Sequence, residues 1–344
     1  MRNETLIQLT DSGLYCAAGD FHIDPWRPVV RAVITHAHGD HARWGSHRYL
    51  TTRDGERVLR TRLGDDATIR AIAYGEPISI NGVRVSLHPS GHILGSAQVR
   101  IEHRGEVWVI SGDYKLGADA TCAPFEPVRC HTFITESTFG LPIYRWRAQA
   151  DLFDEINSWW RSNQLAGKAS MLFAYTLGKA QRLLAGVDPT IGPIFTHGAI
   201  ERLNRDYRAS GVALPATTYA GYGRGVDWSQ ALIIAPPSAQ GTPWMRRFGT
   251  VSTGFASGWM QIRGTRRRKA VDRGFALSDH ADWPGLLEAI AATGAERVWV
   301  THGYSAVLAR WLNEHGLEAT ALSTRFQDEP DDSGDNALSV EEGA

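Results

Sequence analysis

Six consecutive residues, His36-Ala37-His38-Gly39-Asp40-His41, carry four side chains able to bind a metal ion. Four donors this close cannot all close on one tetrahedral ion. Imidazole together with carboxylate suits zinc, and alternation through a turn aims two donors at each of two sites. The plain alternative is a histidine-rich surface turn without metal, and uncompensated polar groups at the end of an apolar strand argue against it. Two ions need further donors. Ser90-Gly91-His92, Ser111-Gly112-Asp113 and Thr301-His302-Gly303 each set a His or an Asp in a small-residue loop after an apolar segment. One such residue alone would read as an ordinary loop position, but the shared context makes all three candidate ligands. A carboxylate upstream should accept the outer N–H of a ligand histidine and fix its tautomer. Asp20 and Asp24 compete for this role, with Asp20 preferred, and His22 reads as a loop residue.

Rigid elements must hold these donors. Apolar or alternating runs predict strands over residues 29–35, 83–87, 98–102, 107–110, 132–135 and 297–300, most of them ending in a candidate ligand loop. Between them the pattern changes. Residues 147–161 have helical spacing, and strand-like 170–174 precedes a helix from 177 or 178 through 184. Strand-like 193–196 and helical 199–207 repeat that order, and 232–235 is again strand-like. Such alternation predicts a parallel α/β unit inserted into the first domain. The expected division is 1–143 with 273–325 as one domain, 144–272 as the insertion, and 326–344 as a separate acidic, disordered tail. A helix over 305–315 closes the folded part.

Composition is permissive. The chain has 344 residues, 43% of them hydrophobic, and a formal net charge of −1. No apolar run is long enough to span a membrane, and the first residues lack the pattern of a signal peptide. Three cysteines without close spacing fit a reducing cytoplasm. The acidic stretch 328–342 leaves the remainder basic, and Arg263-Gly264-Thr265-Arg266-Arg267-Arg268-Lys269 gathers five cations. That run is either a solvated loop or a phosphate contact.

Together these residues resemble the metallo-β-lactamase superfamily and, within it, the β-CASP nucleases, over nearly the whole chain to about Arg325. The nearest likeness is to bacterial ligase-associated DNA exonucleases, also labelled mRNA 3′-end processing factors. Thr135-Glu136-Ser137-Thr138-Phe139-Gly140, Leu277-Ser278-Asp279-His280-Ala281-Asp282 and Thr301-His302-Gly303 resemble three family motifs. Phe173-Ala174-Tyr175-Thr176-Leu177-Gly178-Lys179-Ala180-Gln181 resembles a strand-to-helix segment of the inserted domain. The resemblance implies an α/β fold, the αβ/βα four-layer metallo-β-lactamase sandwich with an inserted α/β β-CASP domain. It implies one metal on His36, His38 and His92, a second on Asp40, His41 and His302, and Asp113 bridging them. His280 would stand beside the scissile phosphate with Glu136 as its hydrogen-bond partner.

The expected chemistry is phosphodiester hydrolysis assisted by two divalent ions, zinc or manganese. Asp40, Asp113, His280 and Glu136 are the expected catalytic residues, with His280 as general acid. Candidate nucleic-acid contacts are Lys179, His197 at a helix N-terminus, Ser252 and Thr253 in a loop, and Arg266 and Arg267. Trp244 and Trp259 are candidates for base stacking, although most tryptophans should be core. The resemblance favours DNA over RNA, in repair beside a ligase and a helicase. His302 is shared with RNA-processing members and supports an RNA-processing nuclease instead. A thioesterase or lactonase would use the same histidines but would not need Glu136, His280 or the insertion.

Overall fold

The computed structural model describes residues 5–223, 225–262, 264 and 269–323. Two compact units divide the chain: one runs to Arg145 and resumes at His280, and the other is Trp146–Asp279.

The first unit begins with six short strands: β1 (Gln8–Thr10), β2 (Gly13–Cys16), β3 (Phe21–Ile23), β4 (Arg31–Val33), β5 (Arg48–Thr52) and β6 (Ile69–Ile72), with helix α1 (Glu56–Leu63) before the last. They pair in chain order, antiparallel from β1 to β3 and parallel from β3 to β6. A second sheet starts with β7 (Ile78–Ile80), β8 (Val83–Pro89), β9 (Ala97–His103), β10 (Glu106–Ile110) and β11 (Thr132–Glu136).

The second unit follows with α2 (Gln149–Leu165), β12 (Ala169–Phe173), α3 (Lys179–Gly186), β13 (Ile194–Thr196), α4 (Gly198–Ala209), β14 (Thr218–Tyr219), β15 (Leu232–Ala235), β16 (Val251–Ala256) and β17 (Arg273–Phe275). Its strands form one parallel sheet, ordered β14-β13-β15-β12-β16-β17. Leu172 and Ile234 pack on one side with residues of α2, α3 and α4, and Met171, Phe173 and Ile233 pack on the other. Burial on both faces explains why these strands read as unbroken apolar runs.

On returning to the first unit the chain adds α5 (Trp283–Thr293), β18 (Arg297–Thr301), α6 (Ser305–Glu314) and β19 (Glu318–Ala321). The second sheet is thereby completed in the order β19-β18-β11-β10-β9-β8-β7. Strand alternation sorts its side chains. Trp108, Ile110 and Ile134 join Ile23, Val33 and Leu50 of the first sheet in one core. Val109, Phe133 and Val298 face the other way, onto Leu286 and Ile290 of α5 and Leu308 and Leu312 of α6. The result is sheet on sheet, with helices over the outer face of the second. Each fully buried aliphatic side chain contributes about 1.5–3 kcal/mol to holding those layers.

This layering positions the site. Strands β10, β11 and β18 are parallel, and two antiparallel steps give β8 the same direction, so their carboxyl ends share one edge. His92, Asp113, Glu136 and His302 follow or end those strands. In the first sheet, parallel β3 and β4 likewise deliver Asp24 and the His36–His41 turn from their carboxyl ends.

Some expectations change. The strand read over 29–35 contracts to β4: Val29 bonds to Ser46 and His47, and the Thr35 N–H turns to the Asp24 side chain. Ser252 and Thr253 lie in β16, not in a loop, and His22 lies in β3. Arg266, Arg267 and the acidic tail lie outside the described residues.

Candidate metal centre

Three imidazole nitrogens meet at one point. Nδ1 of His38 stands 3.1 Å from Nε2 of His36 and 3.1 Å from Nε2 of His92. Oδ2 of Asp113 lies 3.4 Å from the first of those Nε2 atoms and 3.7 Å from the second. Ligands about 2.0–2.1 Å from a tetrahedral ion are separated by about 3.3 Å, so the spacing suits zinc-like coordination. The tautomer of His36 agrees. The Thr35 hydroxyl donates to Asp24 Oδ2 at 2.6 Å and is therefore left to accept from His36 Nδ1 at 3.0 Å, which turns the Nε2 lone pair inward. Burial, and then the neighbouring His41, hold His36 well below the usual histidine range, so it is neutral and able to ligate.

A second cluster adjoins the first. Asp40, His41 and His302 converge, and His41 Nε2 lies 3.5 Å from Asp40 Oδ2 and 3.4 Å from the same Asp113 oxygen. His41 Nε2 is buried and has no hydrogen-bond partner among the described residues. Burial lowers its pKa, but the carboxylates of Asp40, Asp113 and Asp24 outweigh that and hold it well above the usual value. Three carboxylates around one buried ring, two of them facing its unpartnered Nε2, mark where a cation fits. The donor set and the orphaned nitrogen therefore accommodate two divalent ions, one on each side of Asp113.

The partner of His41 is Asp24, not Asp20. Asp24 Oδ2 lies 2.7 Å from His41 Nδ1, and the carboxylate also accepts the Thr35 backbone N–H at 2.8 Å. Asp20 is instead exposed and pairs with Arg31 at 2.6 Å and the Tyr15 hydroxyl at 3.0 Å. The reason is strand direction. Asp20 precedes β3 and Asp24 follows it, so only Asp24 reaches the carboxyl edge where the histidines stand. Recognising residues 21–23 as a strand would have selected it from the sequence.

Backbone constraints hold the loops. A Cβ on Gly112, whose φ is +55°, would stand 2.7 Å from the Thr35 side chain. One on Gly303, at φ +60°, would stand 2.5 Å from the Ser137 carbonyl oxygen. Ser137 Oγ donates to the carbonyls of Thr301 and His302, fixing a turn in which His302 itself has a φ of +54°. Thr301 repeats the Thr35 arrangement, with its hydroxyl 2.9 Å from His302 Nδ1.

Glu136 and His280 form a buried pair, 2.9 Å apart at Nδ1. Glu136 also accepts from the Tyr114 backbone N–H at 2.7 Å and from the Thr138 hydroxyl. The His280 ring lies 4.7 Å from that of His92, so the pair borders the first cluster.

Within the second unit the expected substrate contacts fare differently. Lys179 is buried, 3.5 Å from Asp279 and over the Tyr175 ring, and it shares that carboxylate with Arg182. His197 does cap helix α4, accepting the Ala199 N–H on Nδ1. Ser252 is buried against Trp159, and Thr253 is tied to Asp272. Trp244 and Trp259 are half-buried against the core.

A "Probable DNA ligase" from Opitutus terrae is 31% identical over 320 residues, 90% of this chain and 30% of that protein. Endoribonuclease YSH1 of Saccharomyces cerevisiae is 27% identical over 122 residues, 35% of this chain and 15% of that protein. The cleavage and polyadenylation specificity factor subunit 3 of Dictyostelium discoideum is 28% identical over 124 residues, again 35% of this chain and 16% of that protein. The homology supports the metallo-β-lactamase superfamily. The chain spans less than a third of the length of these relatives. No family model matches it. A solved protein of unknown function from Enterococcus faecalis V583 shares the fold with a TM-score of 0.56 at 12% identity, covering 86% of this chain and 80% of that one.

Proposed function

We propose that the protein is a two-metal phosphodiesterase of the β-CASP group, a DNA exonuclease working in repair beside a ligase and a helicase. The observation that carries the hydrolase reading is Asp113, one carboxylate oxygen of which faces donors of both clusters. Trp146–Asp279 would be the inserted β-CASP domain of the metallo-β-lactamase sandwich. The DNA and ligase elements rest on the sequence resemblance and on the likeness of nearly the whole chain to the Opitutus terrae protein.

When bound, two divalent ions at these donors would supply an activated water at neutral pH and charge neutralisation at the phosphate. The rest falls to side chains. His36, His38 and His92 would hold the first ion, Asp40, His41 and His302 the second, and Asp113 both. Glu136 accepts the Nδ1 proton of His280, which leaves Nε2 to carry the proton for the leaving oxygen. The buried carboxylate fixes the plane of that imidazole. A thioester or lactone hydrolase has no comparable need for this pair.

RNA is the second reading, favoured by His302 and by the match of a third of the chain to endoribonucleases. The test is end-labelled single-stranded DNA and RNA of one sequence, incubated with zinc-loaded and manganese-loaded protein and with Asp113→Ala alongside. Stepwise loss of DNA by wild type alone is the expected result. Loss of RNA in preference would move the protein to RNA processing, and no cleavage with either metal would refute the nuclease reading.

A further inference from the structure

Trp44 stands three residues beyond His41 and is 79% exposed, while every other tryptophan is buried or half-buried. Its ring makes no aromatic contact among the described residues. A mobile loop could leave an indole in water without consequence, but this loop is tied down. The Tyr49 hydroxyl donates to the Arg43 carbonyl at 2.9 Å and accepts the Ser46 N–H at 2.8 Å. Ser46 Oγ accepts the Val29 N–H at 3.1 Å, and the His47 N–H donates to the Val29 carbonyl at 3.0 Å. On the other side, the Ala42 N–H donates to the His38 carbonyl at 2.8 Å. The indole is thus mounted on the braced segment that follows the His36–His41 turn and its four candidate metal donors.

Its flanking sequence is rich in arginine. Arg27, Arg43 and Arg48 are exposed, as is the apolar Val30. From Arg27 to Arg48 the one acid is Asp40, which belongs to the metal cluster. An exposed flat ring on a segment with exposed arginines matches the chemistry of a single nucleic-acid strand, in which bases stack while phosphates seek positive charge. Chain length limits the His41–Trp44 Cα separation to about 11 Å, on the order of three nucleotides at ~3.4 Å each.

We infer that Trp44 is a stacking platform for an unpaired base close to the scissile phosphate. It selects single-stranded ends as substrate, a role that rests on the nuclease reading above. Stacking tolerates any base, so the platform would grip a strand without reading its sequence.

Binding and cleavage test it separately. Metal-loaded wild type, Trp44→Ala and Trp44→Phe are titrated with a nuclease-resistant phosphorothioate oligothymidylate and with an abasic phosphorothioate chain of equal length. Wild type should prefer the base-bearing strand by about tenfold, Trp44→Ala should bind both alike, and Trp44→Phe should keep most of the preference. With a cleavable strand, Trp44→Ala should raise KM by about tenfold and leave kcat within about twofold. A wild-type preference retained by Trp44→Ala, or an equal loss on the abasic chain, would overturn the platform. Trp44-dependent binding without any cleavage would keep the platform and sink the nuclease reading. Cleavage indifferent to Trp44 would do the reverse.

Discussion

A metal-binding histidine is only as useful as the group that holds its other nitrogen. His41 shows this, with Asp24 Oδ2 at 2.7 Å from Nδ1 and Nε2 left buried for an ion. Removing the carboxylate frees the ring and weakens the ligand. Asp24→Asn should lower affinity for the second ion by about 10–100-fold, whereas Asp20→Asn should leave it within about twofold. Metal titration of the two variants separates the assignments, and equal effects would return the role to neither residue. At the same scale, the donors of both clusters could be named from the sequence, because each sits in a short His- or Asp-bearing motif. Asp24 could not, since choosing it over Asp20 requires knowing which end of a three-residue strand faces the site.

Loops become precise when their bases are braced. After β10 the chain runs through Asp113 to Lys115, whose ammonium lies 2.6 Å from Asp119, both side chains almost wholly buried. Asp119 also accepts the backbone N–H and hydroxyl of Thr121. Losing one member strands a buried charge. Asp119→Ala should therefore destabilise the protein by about 3–5 kcal/mol in urea unfolding, with Lys115→Met/Asp119→Leu recovering much of it. A single variant as stable as wild type would show the pair to be ornamental. Elements were legible where periodicity was strong: β8 to β11, α2 and three parallel strands of the second unit, β12, β13 and β15, fall close to their expected positions, whereas β16 runs through residues read as a loop. The opening strands β1 to β3 have three or four residues each, too few to establish a period. Helix α5 escaped because its sequence, WPGLLEAIAAT, is apolar almost all round and shows no stripe. Its Asp282 cap, which accepts the Gly285 N–H, and the proline at its start were the available signals.

For the molecule as a whole, metal uptake and pH are linked through His41, whose carboxylate neighbours outweigh burial and raise its pKa. Below its raised pKa His41 carries a proton, and above it the proton is gone, so an ion arriving at that cluster in acid must displace it. Apparent affinity for the second ion should thus rise with pH until the raised pKa is passed, by up to about tenfold per unit. His36, held neutral by burial, asks for no such exchange, so the first ion should be less sensitive. Calorimetric titrations in buffers of different ionisation enthalpy would read the released proton directly, and two ions with the same pH dependence would contradict this asymmetry.

Asp113 is the point on which the two-ion account turns, because one of its oxygens faces His36 and His41 alike. The decisive measurement is the number of zinc or manganese ions retained per chain after equilibrium dialysis, determined by elemental analysis for wild type and Asp113→Ala. Two ions on wild type and one or none on the variant is the expected result. A single ion on wild type, or two ions retained without Asp113, would contradict it.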